Sequence, residues 1–192
     1  MGISLVKGQK ISLEKSDGSS LTKIFLGAGW DVAKGGGLFG MFGGGSIDLD
    51  ASVILFDENK NVLDSVWFAQ LKSRDGSIQH SGDNLTGEGD GDDEKIYVDL
   101  TRVPAQVKSI VFTISSFRGQ TFEKVENAFC RLVDETTNTE IAKYNLTGKG
   151  KFTALIIANV YRHNGTWKMA ALGETCNGQT IQNIIPSILP LL

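Results

Sequence analysis

The segment His80 to Glu94, HSGDNLTGEGDGDDE, concentrates the residues that can do chemistry. It offers oxygen donors at Asp83, Asn84, Glu88, Asp90, Asp92, Asp93 and Glu94, with glycines at 82, 87, 89 and 91. From Ser81 to Glu94 there are six acidic residues and no basic one. Carboxylates this close repel one another and rise in pKa unless a cation intervenes. Glycines let the backbone turn so that several oxygens, carbonyls included, converge. Calcium takes about six to eight oxygen ligands in flexible geometry, whereas magnesium demands a stricter octahedron and keeps its waters. The segment is therefore expected to bind Ca2+.

It is not an EF-hand. With Asp90 at position 1, Lys95 falls at position 6, where that loop requires Gly, and no helical pattern flanks it. A solvated acidic surface is the competing reading. Against it stands a second pair, Asp48 and Asp50, which share one face of a strand whose continuation, Ile54 and Phe56, is core. Unpaired carboxylates at such a boundary are costly. Asp31, directly after Trp30, ends another strand. Three acidic contributions at strand ends imply one ion-binding rim.

Enzyme chemistry has little to stand on, and no enzymatic activity is expected. Two histidines, His80 and His163, are few for a catalytic zinc site, and the donors are all oxygen. No G-x-S-x-G elbow occurs. His80 is adjacent to Ser81, but neighbours on a strand point to opposite faces. A metal-dependent enzyme acting on a phosphate or nucleotide stays open as the alternative, with His80 as its one candidate base. Cys130 and Cys176 are no disulfide scaffold and read as small buried side chains.

These residues must be positioned by strands. Alternation of apolar and polar residues marks Lys23 to Trp30, Ile47 to Phe56, Val62 to Phe68, Lys95 to Leu100 and Val107 to Ser115. It also marks Ala128 to Val133, Glu140 to Tyr144, Phe152 to Arg162 and Trp167 to Leu172, with two short runs around Gly8. Turn signals at Asp17-Gly18, Asn59-Lys60-Asn61, Asp75-Gly76 and Asn164-Gly165 separate them. The expected fold is mainly all-β, an antiparallel β-sandwich. Thr121 to Glu126 is expected to form one or two helical turns. Residues 179–192 read as a helical tail: Ile181, Ile184, Ile185, Ile188 and Leu189 have amphipathic helix spacing, and Pro186 is expected to kink the helix or start a new one. Docking of this helix on the sandwich is favoured over a free apolar tail.

The stretch 34–46, KGGGLFGMFGGGS, has seven glycines in thirteen residues and cannot hold a regular element. It reads as a loop with an apolar tip of Phe39, Met41 and Phe42. That tip either folds back on the body or makes contact with a protein or membrane. The 192-residue length fits one domain, and the net charge of −3 gives no support for nucleic acid as partner. No leader-like h-region and no apolar run of about 18 residues occurs, so the cytoplasm is the expected compartment.

Gly27-Ala28-Gly29-Trp30-Asp31, Asp48-Leu49-Asp50-Ala51-Ser52 and the run His80 to Glu94 resemble the TerD family of tellurium-resistance and stress proteins. The glycine-rich insert, with LKSRDG at 71–76 and SFRGQTF at 116–122, is similar to its TerZ-like branch. The resemblance covers nearly the whole chain, as one domain over 1–192. It implies a sandwich loosely like a C2 domain and calcium ligands at Asp31, Asp48, Asp50, Asp83, Asn84, Glu88, Asp90, Asp92, Asp93 and Glu94. It also implies a role in tellurite resistance or stress response. Partners would be calcium ions and other proteins of a stress-response complex, with the inner membrane surface as one setting. A C2-like, calcium-dependent membrane binder is a further alternative.

Overall fold

The computed structural model describes residues 2–15, 17–32, 49–82, 91–146 and 150–192. The strands, in chain order, are β1 (Ile3–Ser4), β2 (Lys10–Ser12), β3 (Lys23–Val32), β4 (Leu49–Phe56), β5 (Val62–Val66) and β6 (Ile78–His80). There follow β7 (Glu94–Asp99), β8 (Ser109–Ser116), β9 (Val125–Asp134), β10 (Thr139–Asn145), β11 (Ala154–His163) and β12 (Thr166–Cys176). Among the described residues they form two six-stranded sheets, ordered β1-β10-β9-β3-β7-β6 and β2-β12-β11-β8-β4-β5. Pairing is antiparallel except where β1 joins β10 in parallel. The expected antiparallel sandwich is thus observed.

Two cores follow from the alternation. On β3, Ile24, Leu26, Ala28 and Trp30 face between the sheets. On β4, Leu49, Ala51, Val53 and Leu55 do the same. The opposite face of β4, carrying Ile54 and Phe56, joins Val111, Ala154 and Ile156 in a second cluster closed by Ile181, Ile184 and Ile188. Those three isoleucines belong to α1 (Ile181–Ile188), which docks on the outside of the second sheet. Every residue of β4 and of β8 is consequently buried.

Two details correct the sequence reading. Helix α1 is not interrupted at Pro186. The exposed proline lies inside it, and the chain tightens into a 3-10 turn only at Leu189–Leu191. A missing N–H on the solvent side costs less when the buried isoleucines of the same helix are anchored. Thr121 to Glu126 yields only a 3-10 turn at Phe122–Lys124, because Val125 and Glu126 are claimed by β9 against β3. The short strand β6 and the two-residue β1 carry too few alternations to be delimited from sequence.

Candidate functional site

Register brings the acidic residues to one end of the sandwich. Glu94, at the start of β7, lies opposite Ala28 near the end of β3. Leu49, at the start of β4, lies opposite Ser116 at the end of β8. Asp31 pairs with Glu126 at the start of β9, past an irregularity in the ladder. The described chain breaks off at Gly82 and resumes at Gly91, and breaks off at Val32 and resumes at Leu49, all at this same end. Asp48, Asp83, Asn84, Glu88 and Asp90 lie outside the described residues, as do the glycine-rich stretch 34–46 and Phe39, Met41 and Phe42.

The five described candidates have distinct environments. Asp31 is exposed at the end of β3, and the Asn127 side-chain amide donates to its Oδ2 at 2.8 Å. Asp50 is buried at the start of β4. Asp92 lies on the outer face of the first sheet, over Gly27. Its Oδ1 accepts from Arg131 Nε at 2.7 Å and its Oδ2 from Arg131 Nη2 at 2.8 Å, with Lys95 Nζ 3.7 Å away. Arg131 and Lys95 are both cross-strand partners of Gly27, one on each side. A Cβ at Gly27 would run into the Asp92 carboxylate, and one at Gly29 would overlap the Gly91 carbonyl and the Phe129 ring. The Gly-Ala-Gly triplet is therefore what lets the resumed acidic chain cross β3 this closely.

Asp93 turns the other way and accepts the Trp30 backbone N–H at 2.8 Å. Burial raises its pKa, and the neighbouring carboxylates of Asp31, Glu94 and Asp92 add to the rise, despite the Trp30 hydrogen bond. Glu94 is 1% exposed and ties the two sheets together: its Oε2 accepts the Ala51 N–H at 2.7 Å. The same oxygen lies 3.3 Å from His80 Nε2.

His80, which was the one base candidate, is 2% exposed. Its Nδ1 accepts the Gly82 N–H at 3.0 Å, which places the neutral-ring proton on Nε2, 3.1 Å from the Ala51 carbonyl. Burial opposes charging the ring, but the Glu94 carboxylate outweighs it with help from Asp50, so the pKa is raised above 6.5. His80 thus places Glu94 and Asp50 in one electrostatic group, and Asp93 joins Asp31, Glu94 and Asp92 in another. Sequence reasoning missed Arg131 and Asn127, which stand beside these acids only through strand register. The donor set offered is oxygen throughout, as calcium prefers. Among the described residues, no three His, Cys, Asp or Glu side chains come together closely enough to hold a metal by themselves. A site built from the described residues would need backbone carbonyls in addition to these carboxylates.

Neither thiol is activated. Cys130 is fully buried, which pushes its pKa up to about 12, and burial also raises that of the half-buried Cys176. Among the described residues, no helix is long and apolar enough to cross a membrane.

A two-sheet sandwich with carboxylates gathered at one end is thus the class that fold and site define. The TerD domain matches residues 1–187. The chain is 50% identical over 189 residues to tellurium resistance protein TerZ of Serratia marcescens, covering 97% of each. It is 44% identical over 197 residues to stress response protein SCP2 of Bacillus subtilis, covering 96% of this chain and 98% of that one. A solved structure of a homologue of telluride resistance protein (TerD) from Streptomyces coelicolor superposes with a TM-score of 0.70 at 17% identity, covering 86% of this chain and 96% of that one. The chain belongs to the TerD family of tellurium resistance and stress response proteins.

Proposed function

We propose that this chain is a calcium-binding, non-enzymatic interaction module of a bacterial tellurite-resistance or stress-response system, acting in the cytoplasm. The observation that carries the reading is the convergence of Asp31, Asp50, Asp93 and Glu94 at one end of the sandwich. Burial and three neighbouring carboxylates raise the Asp93 pKa, and a cation would offset that repulsion. Asp50 and Glu94, both buried, stand at the same end. In the sequence the acids at 83–90 fall between Gly82 and Gly91. Calcium fits this oxygen-only set better than zinc or magnesium. Bound there, it would neutralise the end and order a docking surface for other proteins of the system. A non-enzymatic role is supported by His80, whose two ring nitrogens are engaged inside the core rather than presented to a substrate.

The test is calorimetric titration of calcium and magnesium into chelator-treated protein. Calcium should bind at least about tenfold tighter, a difference of about 1.4 kcal/mol. Equal affinities, or a preference for zinc, would remove the basis of the reading.

A further inference from the structure

We infer that a cavity beside the acidic end, between the edges of the two sheets, is a binding site for a planar aromatic molecule bearing one acidic group. The inference goes beyond the calcium reading and does not require it. The cavity has a volume of about 890 Å3, within the range of small-molecule sites, about 300–1,000 Å3. It exists because the edge strands are only partly covered. On the first sheet, β1 covers β10 at Ala142 and Lys143 alone. On the second, β2 covers β12 at Lys168–Ala170. Past those points Tyr144, Asn145, Gly173 and Thr175 line the space, with the Tyr144 hydroxyl packed against the backbone of Gly173.

The walls specify the ligand. Phe122 and Phe152 stack with centroids 4.9 Å apart and planes inclined by 29°, and Trp30 and Phe129 also line the space. Such surfaces favour a flat π-system by offset or edge-on contact. One cation reaches the cavity from its wall: Lys143 Nζ sits 4.1 Å from the centroid of the Phe129 ring. Among the described residues it has no carboxylate partner, so its charge is available to an incoming anion. Asp31 and Glu126 line the same cavity from β3 and β9. They repel a second anionic group, so the ligand carries its acidic group at the Lys143 side and is neutral elsewhere.

The experiment titrates the full chain, in chelator, with 1-anilinonaphthalene-8-sulfonate and separately with N-phenyl-1-naphthylamine, which has the same rings without the sulfonate. Working in chelator keeps the result independent of calcium. Both probes should bind saturably at one site. Thr175→Trp and Asn145→Trp change exposed wall positions, and each should weaken both probes about tenfold or more. Lys143→Gln should weaken the sulfonate probe and leave the neutral one unchanged. The melting temperature of each variant reports whether it is folded. Absence of binding to the wild type overturns the proposal. So does unchanged affinity for both probes in a folded tryptophan variant, which would place the probe elsewhere. A Lys143→Gln variant that affects both probes equally, or neither, overturns the anion selectivity.

Discussion

Arg131 grips Asp92 with two parallel hydrogen bonds, 2.7 Å from Nε to Oδ1 and 2.8 Å from Nη2 to Oδ2, above the bare backbone of Gly27. The Asp92 side chain is fully shielded from solvent, while that of Arg131 is 31% exposed. Of the acids that resume after Gly91, Asp92 is the one held by Arg131. It fixes where the chain re-enters the sheet, and so aims Asp93 and Glu94 inward. The Asp92 carboxylate in turn raises the Arg131 pKa further, so the guanidinium stays charged.

Removing Arg131 leaves the shielded Asp92 carboxylate with only Lys95 Nζ, 3.7 Å away, to offset its charge. Arg131→Met is expected to destabilise the apo protein by about 1–2 kcal/mol, and Arg131→Met with Asp92→Asn by clearly less. Chemical denaturation of the two variants and of Asp92→Asn checks this. If the double variant is as unstable as the sum of the two single ones, the pair is not coupled.

Gly27→Ala tests the close approach. The strand conformation at this position suits alanine, so the expected loss, about 1–3 kcal/mol, comes from the clash with the Asp92 carboxylate. Gly27→Ala combined with Asp92→Ala should recover part of it. A Gly27→Ala variant as stable as wild type would mean that the carboxylate moves aside at no cost.

Asp93 supplies a pH signature. Its folded pKa is raised above the ordinary 3.8, so its contribution to stability is fully present below that value and is lost as pH rises through the folded pKa. Asp93→Asn keeps an oxygen for the Trp30 N–H and carries no charge. In chelator its melting temperature relative to wild type should therefore climb from acid towards neutral pH and then level off. A difference independent of pH would show that the Asp93 pKa is not raised in the folded protein.

Calcium should reverse that sign at the ligands. Asp50→Asn and Asp83→Asn are each expected to weaken calcium about tenfold, or about 1.4 kcal/mol, and to leave apo stability neutral or improved. For wild type, calcium at 100 times its dissociation constant should add about 2.7 kcal/mol of stability. Asp50→Asn that lowers the apo melting temperature while sparing affinity would make Asp50 a structural carboxylate.

The outer face of the second sheet depends on its helix. Ile184 is fully buried against Ile54, Phe56 and Val111. Ile184→Ala is expected to cost about 2–5 kcal/mol, read by thermal unfolding. A loss below about 1 kcal/mol would indicate that α1 is a loosely held tail.

By itself the sequence determined the sandwich, because alternation of apolar and polar residues has a period that only strands satisfy, and turn residues stand between the runs. It determined the docked helix through the spacing of Ile181, Ile184 and Ile188. It also determined where the carboxylates concentrate, since a run of acids interleaved with glycine is visible without coordinates. It could not say which core Ile54 and Phe56 enter: alternation marks a face as buried but not by what, and here the cover is α1 rather than the other sheet. Nor could it sort the acids. Asp92, Asp93 and Glu94 are consecutive and chemically alike, yet one is paired with Arg131, one caps the Trp30 N–H beside other carboxylates, and one bridges to β4. Those roles were decided by register between β3, β7 and β9. Register places Arg131 and Lys95 on either side of Gly27 from more than sixty residues away in the chain, and such long-range pairing leaves no local trace in the sequence.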